Sequence, residues 1–222
     1  IGSSDDIMDA RFVPASPETT PKHMENVISY LNNYEKSTEL IKSAISHYQF
    51  ETIHPFRDGN GRIGRLLIVL YLCKSKILSQ PLLYLSAYFE KHREKYNECM
   101  FKVSSKGKIG EWLKFFLKGV KIQSDLALDN VIELEDYQIK CRKILLEKTN
   151  STNAMKVLEH LFANPYITIP EVKEILRCHY PTAENNVRIL IEQGILKEMK
   201  RLKKKWRRVF YAPKIIEILE IT

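Results

Sequence analysis

Glycines interspersed with polar residues and followed at once by an apolar run distinguish residues 54–72 of this 222-residue chain. Residues 54–65 read His-Pro-Phe-Arg-Asp-Gly-Asn-Gly-Arg-Ile-Gly-Arg, and the apolar part extends from Leu66 to Leu72. Glycines and short polar residues ahead of an apolar stretch predict a tight loop that opens a helix. Because residues 66–72 are apolar on every side, we expect this helix to be the central one of an α-helical bundle.

The same loop has the composition of a phosphate-binding site. Backbone N–H groups at the start of a helix are unpaired and carry partial positive charge, so they attract anions. Asp58 offers a carboxylate oxygen, which Mg²⁺ binds together with phosphate oxygens. Arg62 and Arg65 are three residues apart, which places both guanidinium groups on one side of a helix, and the imidazole of His54 can accept a hydroxyl proton. Each residue alone is more often structural, but the combination predicts phosphoryl-transfer chemistry.

The twelve-residue segment is similar at every position to the signature of the Fic family, His-Pro-Phe-x-(Asp/Glu)-Gly-Asn-Gly-Arg-x-x-Arg. The resemblance implies an enzyme that transfers AMP from ATP to a hydroxyl side chain of a target protein and releases pyrophosphate. It further implies that His54 takes the proton from the target hydroxyl and that Asp58 holds Mg²⁺. The residues that it implies for binding ATP in this loop are Gly59, Asn60, Gly61, Arg62, Ile63, Gly64 and Arg65.

Two flanking segments extend the resemblance to about residues 1–120. Residues 10–14 are similar to the flap of the family, which we expect as a β-hairpin over about residues 8–21 that pairs with the target segment through its backbone. The docking residues of this flap would be Arg11, Phe12, Val13 and Pro14. Further along, Tyr96, with Asn97 behind it, is similar to the stretch that borders the adenine. The alternative for either segment is an ordinary amphipathic helix face.

The inhibitory helix that many Fic proteins carry has no match in this sequence. Its pattern is Ser/Thr-x-x-x-Glu-Gly/Asn, and the nearest candidate, Thr20 with Glu25, has one residue too many between the two positions. The chain begins at Ile1, and we expect it to be a fragment of a longer protein. If that protein has an inhibitory helix ahead of this segment, we expect the fragment to be the more active of the two.

Composition narrows the class of protein. With 44% hydrophobic residues, the chain can bury one large core or two small ones. Four widely spaced cysteines without a Cys-x-x-Cys pair suggest neither a zinc site nor a disulfide framework. The longest apolar run, Leu66–Cys73, is far shorter than the roughly 20 residues of a membrane span. Since no signal peptide is visible either, we expect a cytoplasmic protein without membrane contact.

Helical periodicity and one polar break predict the domain organisation. Amphipathic helices are expected around residues 24–31, 40–48, 88–104 and 108–123, within a Fic catalytic domain of residues 1–123. Residues 124–150 would form a connector helix, and small polar residues near 150 mark the start of a second domain, residues 151–222. The predicted fold class is mainly α: a Fic-type helical bundle with a short β-hairpin flap, and a small C-terminal α+β winged-helix domain.

The winged-helix prediction rests on the order of the last elements. Helices are expected around 157–162, 169–176 and 182–192, and strands at 195–199 and 208–212, an order that resembles a winged helix-turn-helix. Residues 200–208, where a wing would lie, include seven Lys or Arg, and residues 152–222 contain 13 basic and 8 acidic residues. DNA is therefore a candidate partner. The predicted recognition helix has few side chains for base edges, however, and such domains also dock proteins or form homodimers.

The sequence patterns are compatible with three functions. The first is a protein adenylyltransferase whose C-terminal domain recruits targets or DNA. The second is a DNA-binding regulator in which the Fic unit acts as a sensor. The third is a Fic enzyme that uses a different donor or removes AMP. The arginine pair favours a triphosphate donor, because two guanidinium groups suit a polyphosphate tail.

Overall fold

Helices dominate the computed structural model, which describes residues 12–33, 35–149, 151–199 and 208–220. The chain divides into two compact units, Ile1–Asp125 and Leu126–Thr222. Among the described residues, six helices begin in the first unit: α1 Thr20–Asn33, α2 Glu39–Ile53, α3 Asn60–Lys74, α4 Leu85–Lys91, α5 Arg93–Lys106 and α6 Ile109–Lys148. Within the described ranges, no helix combines the length and the apolar character needed to cross a membrane.

The last of these helices, α6, crosses the boundary between the units without a break. It has 40 residues, so the helices predicted over 108–123 and 124–150 are one element. Cys141 and Leu145, near its C-terminal end, are buried in the core of the second unit. The prediction of a separate connector helix is therefore wrong, since this part of α6 contributes core residues.

The helix that is buried most completely in the first unit is α2, not α3. In α3, the side chains of Ile63, Leu66 and Leu70 are 39%, 54% and 56% exposed. These three positions follow the i, i+3, i+7 spacing of one helix face, so the expectation that α3 is buried on every side is wrong. Eight of the 15 residues of α2 are buried, several of them polar: Lys42, Ser43, Ala44, Ser46, His47, Tyr48, Phe50 and Ile53.

Aromatic side chains hold α2 against the later helices. Phe89 and Trp112 stack on the imidazole of His47, with ring centroids 5.6 and 5.8 Å away. Trp112 also donates its indole N–H to the main-chain carbonyl of Ala44 at 2.9 Å. The buried ring pairs and this hydrogen bond fix the middle of α2, the helix that leads into the loop.

The predicted flap lies partly outside the described residues, which begin at Phe12. Residues 12–16 form no strand, residues 17–19 form a turn, and α1 begins at Thr20. The main-chain carbonyl of Ser16 accepts hydrogen bonds from the N–H groups of Thr19 and Thr20, at 3.1 and 2.9 Å. A hairpin through residue 21 is therefore wrong at its C-terminal end, and Arg11 lies outside the described residues.

The second unit combines short helices with a small antiparallel sheet. Its three strands are β1 Tyr166–Thr168, β2 Lys197–Glu198 and β3 Val209–Tyr211. Strand β3 lies between β1 and β2, and Phe210 of β3 pairs with Ile167 on one side and Glu198 on the other. Helices and strands occur at all five predicted positions, although the strands are shorter than predicted. In chain order, the elements that follow α6 are α7 Thr152–Ala163, β1 Tyr166–Thr168, α8 Ile169–Leu176, α9 Tyr180–Glu192, β2 Lys197–Glu198, β3 Val209–Tyr211 and α10 Pro213–Glu220.

Local capping explains where α7 and α8 begin. Ser151 accepts a hydrogen bond from the N–H of Ala154 at 3.1 Å, and Thr168 forms a capping box with Glu171. Strand β1 and helix α10 were not predicted from the sequence. Strand β1 has only three residues and is held by its pairing with β3, which a local pattern does not reveal.

Candidate active site

The candidate base, His54, is the residue that ends α2. Its backbone is left-handed, with φ 54° and ψ 58°, and its N–H donates to the carbonyl of Phe50 at 2.9 Å. Its ring Nδ1 lies 3.3 Å from the main-chain oxygen of Glu51. Since a carbonyl oxygen can only accept, this contact places a proton on Nδ1 and leaves the lone pair on Nε2. His54 therefore has the tautomer that a general base at Nε2 requires.

The loop between α2 and α3 is closed by Asn60. Its Oδ1 accepts a hydrogen bond from the N–H of Phe56 at 3.0 Å, and its Nδ2 donates to the carbonyl of Phe56 at 2.5 Å. The side chain of Asn60 is only 2% exposed. It stabilises the loop from inside, so Asn60 can contribute to a phosphate site through its backbone alone.

The start of α3 leaves backbone donors for an anion. Gly59 precedes the helix with φ 81°, a conformation that residues with side chains rarely adopt. The N–H groups of Asn60, Gly61 and Arg62 belong to the first turn and project out of the helix. The N–H of Ile63 instead donates to the carbonyl of Gly59 at 3.0 Å. This N–H of Ile63 is therefore used within the helix, and the role of Ile63 in binding ATP stays a prediction.

Both arginines of the signature flank this helix start. The Nε of Arg65 donates to Ser86 Oγ at 3.0 Å, and a Cβ placed on Gly61 would lie 3.0 Å from Arg65 Nη1. Glycine at this position therefore lets the guanidinium group fold over the first turn of α3. Arg62 is exposed, and its Nη2 lies 3.8 Å from the carboxylate of Asp58. Positive charge thus surrounds the N–H groups, as a polyphosphate requires.

The carboxylate available to a metal in this loop is that of Asp58. Its side chain is 95% exposed, so its contact with Arg62 is weak and easily exchanged. In the part of the chain that the structure describes, no three His, Cys, Asp or Glu side chains come together as a metal site. A single carboxylate suits Mg²⁺ when phosphate and water oxygens complete its octahedral shell. Asp58 therefore fits a cation that arrives with a nucleotide.

Two polar residues that were not predicted from the sequence, His47 and Glu51, lie behind the loop. A Cβ on Gly64 would clash with Glu51 Oε1 and would lie 3.2 Å from the ring of His47. Gly64 is therefore the close contact between α3 and α2, and its role in binding ATP stays a prediction. Burial lowers the pKa of His47 to about 4 and raises that of Glu51, while the charge of Arg65 opposes the latter shift. Their i, i+4 spacing on α2 is the signal that could have revealed them.

The predicted adenine contact, Tyr96, faces the core. Its hydroxyl lies 3.0 Å from His47 Nε2, and its ring centroid is 5.1 Å from that of Phe89 and 5.7 Å from that of Trp112. Burial raises the pKa of Tyr96. Its neighbour Asn97 is exposed. This placement favours a structural role for Tyr96 over contact with a base.

Comparison with known proteins shows which family the first part of the chain is similar to. Residues 3–72, which include the loop and most of α3, match the model of the Fic/DOC family. This part of the chain is therefore similar to the Fic domain. The match ends within α3, so it includes His54, Asp58 and both arginines of the signature.

Relatives of the Fic domain bear names that agree with this assignment. A probable protein adenylyltransferase of Aquifex aeolicus is 29% identical over 202 residues, which make up 90% of this chain and 57% of the relative. A protein adenylyltransferase of Caenorhabditis elegans is 39% identical over 67 residues, 29% of this chain and 13% of the relative. The chain thus spans little more than half of the first relative and a small part of the second.

A solved structure supports the fold. The crystal structure of a Fic family protein from Desulfovibrio desulfuricans matches with a TM-score of 0.50 and 20% sequence identity. The match covers 90% of this chain and 56% of that chain. The two chains therefore have a similar fold.

Proposed function

We propose that this chain is a protein adenylyltransferase, which transfers AMP from ATP to a Tyr, Thr or Ser hydroxyl of a target protein. The observation that carries the proposal is the position of His54. The residue presents a free Nε2 lone pair at one end of a short loop whose other end is the open N-terminus of α3. Relatives named protein adenylyltransferase support this activity over an unrelated phosphoryl transfer.

The residues divide the reaction between proton transfer and charge stabilisation. The target oxygen attacks the α-phosphorus of ATP, the bond between this phosphorus and the oxygen bridging to the β-phosphate breaks, and pyrophosphate leaves. His54 Nε2 accepts the proton of the attacking hydroxyl. The first-turn N–H groups of α3, together with Arg62 and Arg65, hold the phosphates. Asp58 would bind Mg²⁺, which supplies further positive charge beside them.

A donor panel tests this function and separates it from other uses of the fold. The purified chain is incubated with Mg²⁺, a lysate of its source, and ATP labelled at either the α- or the γ-phosphate. We expect protein to be labelled from α-labelled ATP only, and more strongly than from α-labelled GTP, CTP or UTP. Label from γ-labelled ATP would indicate phosphorylation, and stronger labelling from another nucleotide would change the donor. Absence of label from every donor would contradict transferase activity.

We also propose that the second unit is a winged helix that recruits a protein partner. Its support is a three-residue turn between α8, which ends at Leu176, and α9, which begins at Tyr180, followed by an antiparallel sheet. Arg208 donates to Glu184 at 3.0 Å and to Glu198 at 2.9 Å. Since these carboxylates balance its charge, a DNA phosphate would have to displace them.

The basic segment 200–207, on which the prediction of DNA binding depends, lies outside the described residues. Fluorescence anisotropy with a labelled DNA duplex distinguishes the two kinds of partner. We expect weak binding that is the same for unrelated sequences and is lost as the salt concentration rises from 50 to roughly 200 mM. Tight binding to one sequence at the higher salt concentration would favour a DNA-binding regulator instead.

A further inference from the structure

The outer face of α6 in the second unit has a row of exposed apolar side chains. Cys141 and Leu145 of this helix are buried in the core of the unit, and Leu134 packs against that core. On the opposite face, five large apolar side chains are between 42% and 62% exposed: Leu128, Val131, Ile132, Ile139 and Leu146. Single apolar residues on a surface are ordinary, but a continuous apolar row is typical of an interaction site.

Four of these side chains, which we call the α6 seam, follow one line along the helix: Leu128, Ile132, Ile139 and Leu146. The last three are seven residues apart, and Leu128 is four residues before Ile132. In an α-helix, a seven-residue step returns to within about 20° of the same direction. The seam therefore extends along one side of α6 for about 27 Å. Apolar residues repeated every seven positions are the pattern through which two helices pack together.

The charged side chains in this part of α6 change sign along the helix. Residues 126–136 contain four acidic residues and no basic one, whereas residues 137–148 contain four basic residues and one acidic one. Two ion pairs within the chain use part of this charge: Glu133 with Lys214 at 3.0 Å, and Arg142 with Glu159 at 2.6 Å. The first half of the segment is therefore negative and the second half positive.

Two opposite charges lie symmetrically about the middle of the seam. Glu135 is four residues before Ile139, and Lys143 is four residues after it. Both charged side chains are exposed. Lys143 lies 3.9 Å from Glu147, and because both of these side chains are exposed, the contact is weak and easily exchanged. Glu135 and Lys143 are therefore placed to form ion pairs with another molecule that covers the seam.

Two copies of α6 are complementary when they lie antiparallel. With a two-fold axis at Ile139, Ile132 of one copy lies opposite Leu146 of the other, because each is seven residues from the axis. By the same symmetry, Glu135 lies opposite Lys143, and each acidic half faces a basic half. A parallel pair would place equal charges side by side along its whole length. Charges across a helix pair determine its orientation in this way.

We propose that the α6 seam is a self-association surface, through which two copies of this chain form an antiparallel dimer. A two-fold interface needs one patch that is complementary to itself, and the seam with its charges has that property. A different partner would need the same apolar spacing and the reverse order of charges, which a second copy supplies by symmetry. Three apolar layers make a small interface, for which we expect a Kd of about 10 μM.

Sedimentation equilibrium of the purified chain, at protein concentrations of about 1–200 μM, tests the dimer. Ile139→Lys places two ammonium groups at the two-fold axis, and we expect it to weaken association by about 20-fold or more. The matched control is Ile28→Lys, since Ile28 is an isoleucine on the surface of α1 that is 54% exposed and does not belong to the seam. This control should dimerise as the unmodified chain does.

Charge reversal tests the antiparallel orientation. Glu135→Lys or Lys143→Glu alone places like charges opposite each other, so we expect each to weaken association about fivefold at low salt. The double variant exchanges the two charges and should restore the affinity to within about twofold. In a parallel dimer, each single variant would only replace one pair of like charges by another, and the affinity would not change.

Three outcomes would overturn the proposal. A chain that stays monomeric up to about 200 μM leaves the seam to a different protein partner. No loss with Ile139→Lys, or an equal loss with Ile28→Lys, places the dimer contact elsewhere. Unchanged association in both charge-reversal variants contradicts the antiparallel arrangement.

Two further points keep the test decisive. If circular dichroism shows that Ile139→Lys does not fold, Leu146→Lys provides the same test, since Leu146 is 61% exposed and belongs to the same seam. The measurement uses neither ATP nor a target protein. Failure of AMP transfer would therefore leave the dimer result unaffected, and a monomeric chain could still be a transferase.

Discussion

The two units of the chain bury different kinds of side chain. Among the described residues, the buried polar side chain of the second unit is Asn186, whose amide accepts from Ser151 and donates to the carbonyl of Thr182. The core around it is apolar. The first unit buries six polar or charged side chains among its described residues: Lys42, Ser43, Ser46, His47, Asn60 and Gln123.

This difference separates a unit that is optimised for packing from one that holds a reactive loop. Ser43 and Ser46 each keep a buried hydroxyl, and Gln123 a buried carbonyl oxygen, without a hydrogen-bond partner within the described residues. Such groups cost free energy of folding. Ser43 and Ser46 lie on α2, the helix that supports the loop, and Gln123 lies on α6. We infer that the first unit is the less stable of the two and that its polar interior supports the site.

The largest loss of folding stability is expected from a substitution that leaves a cavity in the second unit. Leu190 of α9 is fully buried, and Leu190→Ala should lower the free energy of unfolding of this unit by about 2–5 kcal/mol. Hydrogen exchange measured by mass spectrometry should show lost protection in α7, α8 and α9, with ATP affinity unchanged. An equal loss of protection in α2 and α3 would show that the units do not unfold separately.

A pH-dependent loss of stability is expected in the first unit. Burial lowers the pKa of His47 to about 4 from its ordinary 6.5, so between these values the unfolded chain binds a proton that the folded chain does not. The free energy of unfolding should therefore fall as pH decreases from 6.5 to 4, by up to about 3 kcal/mol. Urea unfolding, followed by tryptophan fluorescence, measures this slope.

The variant His47→Phe should remove that slope, because it keeps an aromatic ring without a titrating group. Leu190→Ala serves as the comparison, since a cavity in the second unit should leave the slope in place. If His47→Phe retains the full pH dependence, another group causes it, and the neutral buried imidazole has no part in acid lability.

A smaller loss of folding stability is expected from a substitution at the point where α3 contacts α2. Gly64→Ala places a methyl group against Glu51 and His47, which should lower the free energy of unfolding by about 1–3 kcal/mol. It should also weaken ATP binding, because Arg65 is the next residue along α3. Chemical denaturation and calorimetry measure the two effects. Normal stability together with normal ATP affinity would mean that the α2–α3 contact tolerates separation and does not position the site.

The substitution with the smallest expected effect on stability, Gly110→Ala, is the matched control for Gly64→Ala. Gly110 is also a helical glycine, but a Cβ added there meets no atom within 4 Å. Gly110→Ala should raise the free energy of unfolding by about 0.5–1 kcal/mol, because alanine favours the helix and restricts the unfolded chain. Destabilisation by this substitution would show that α6 is under constraints that its open surroundings do not indicate.

Sequence predicted the loop and the helix start at the candidate site better than the packing beneath them, for a physical reason. The signature residues lie within one loop and the start of one helix, so their spacing along the chain determines how they come together. The contact of Gly64 with Glu51 joins two helices, and no local pattern encodes it. The local pattern also did not reveal that the N–H of Ile63 bonds within the helix or that Tyr96 turns inward to contact His47.

Hydropathy also misidentified the central helix. The apolar run of α3 suggested full burial, but Leu66 and Leu70 are more than half exposed. Helix α2 appears amphipathic in sequence and is nevertheless buried on its polar side, where Ser46 and His47 are 2% and 1% exposed. Burial of polar residues depends on partners from other helices, which a single-helix pattern does not contain.

The most direct test of the account compares the chain with its His54→Ala variant in transfer from α-labelled ATP. Both proteins are first shown by circular dichroism to have the same helix content and by calorimetry to bind ATP with the same affinity. We predict that the variant loses label transfer by about 10²–10⁴-fold, since only the proton acceptor has been removed. Transfer at an undiminished rate by the folded, ATP-binding variant would contradict the assignment of His54 as the base and, with it, the proposed mechanism.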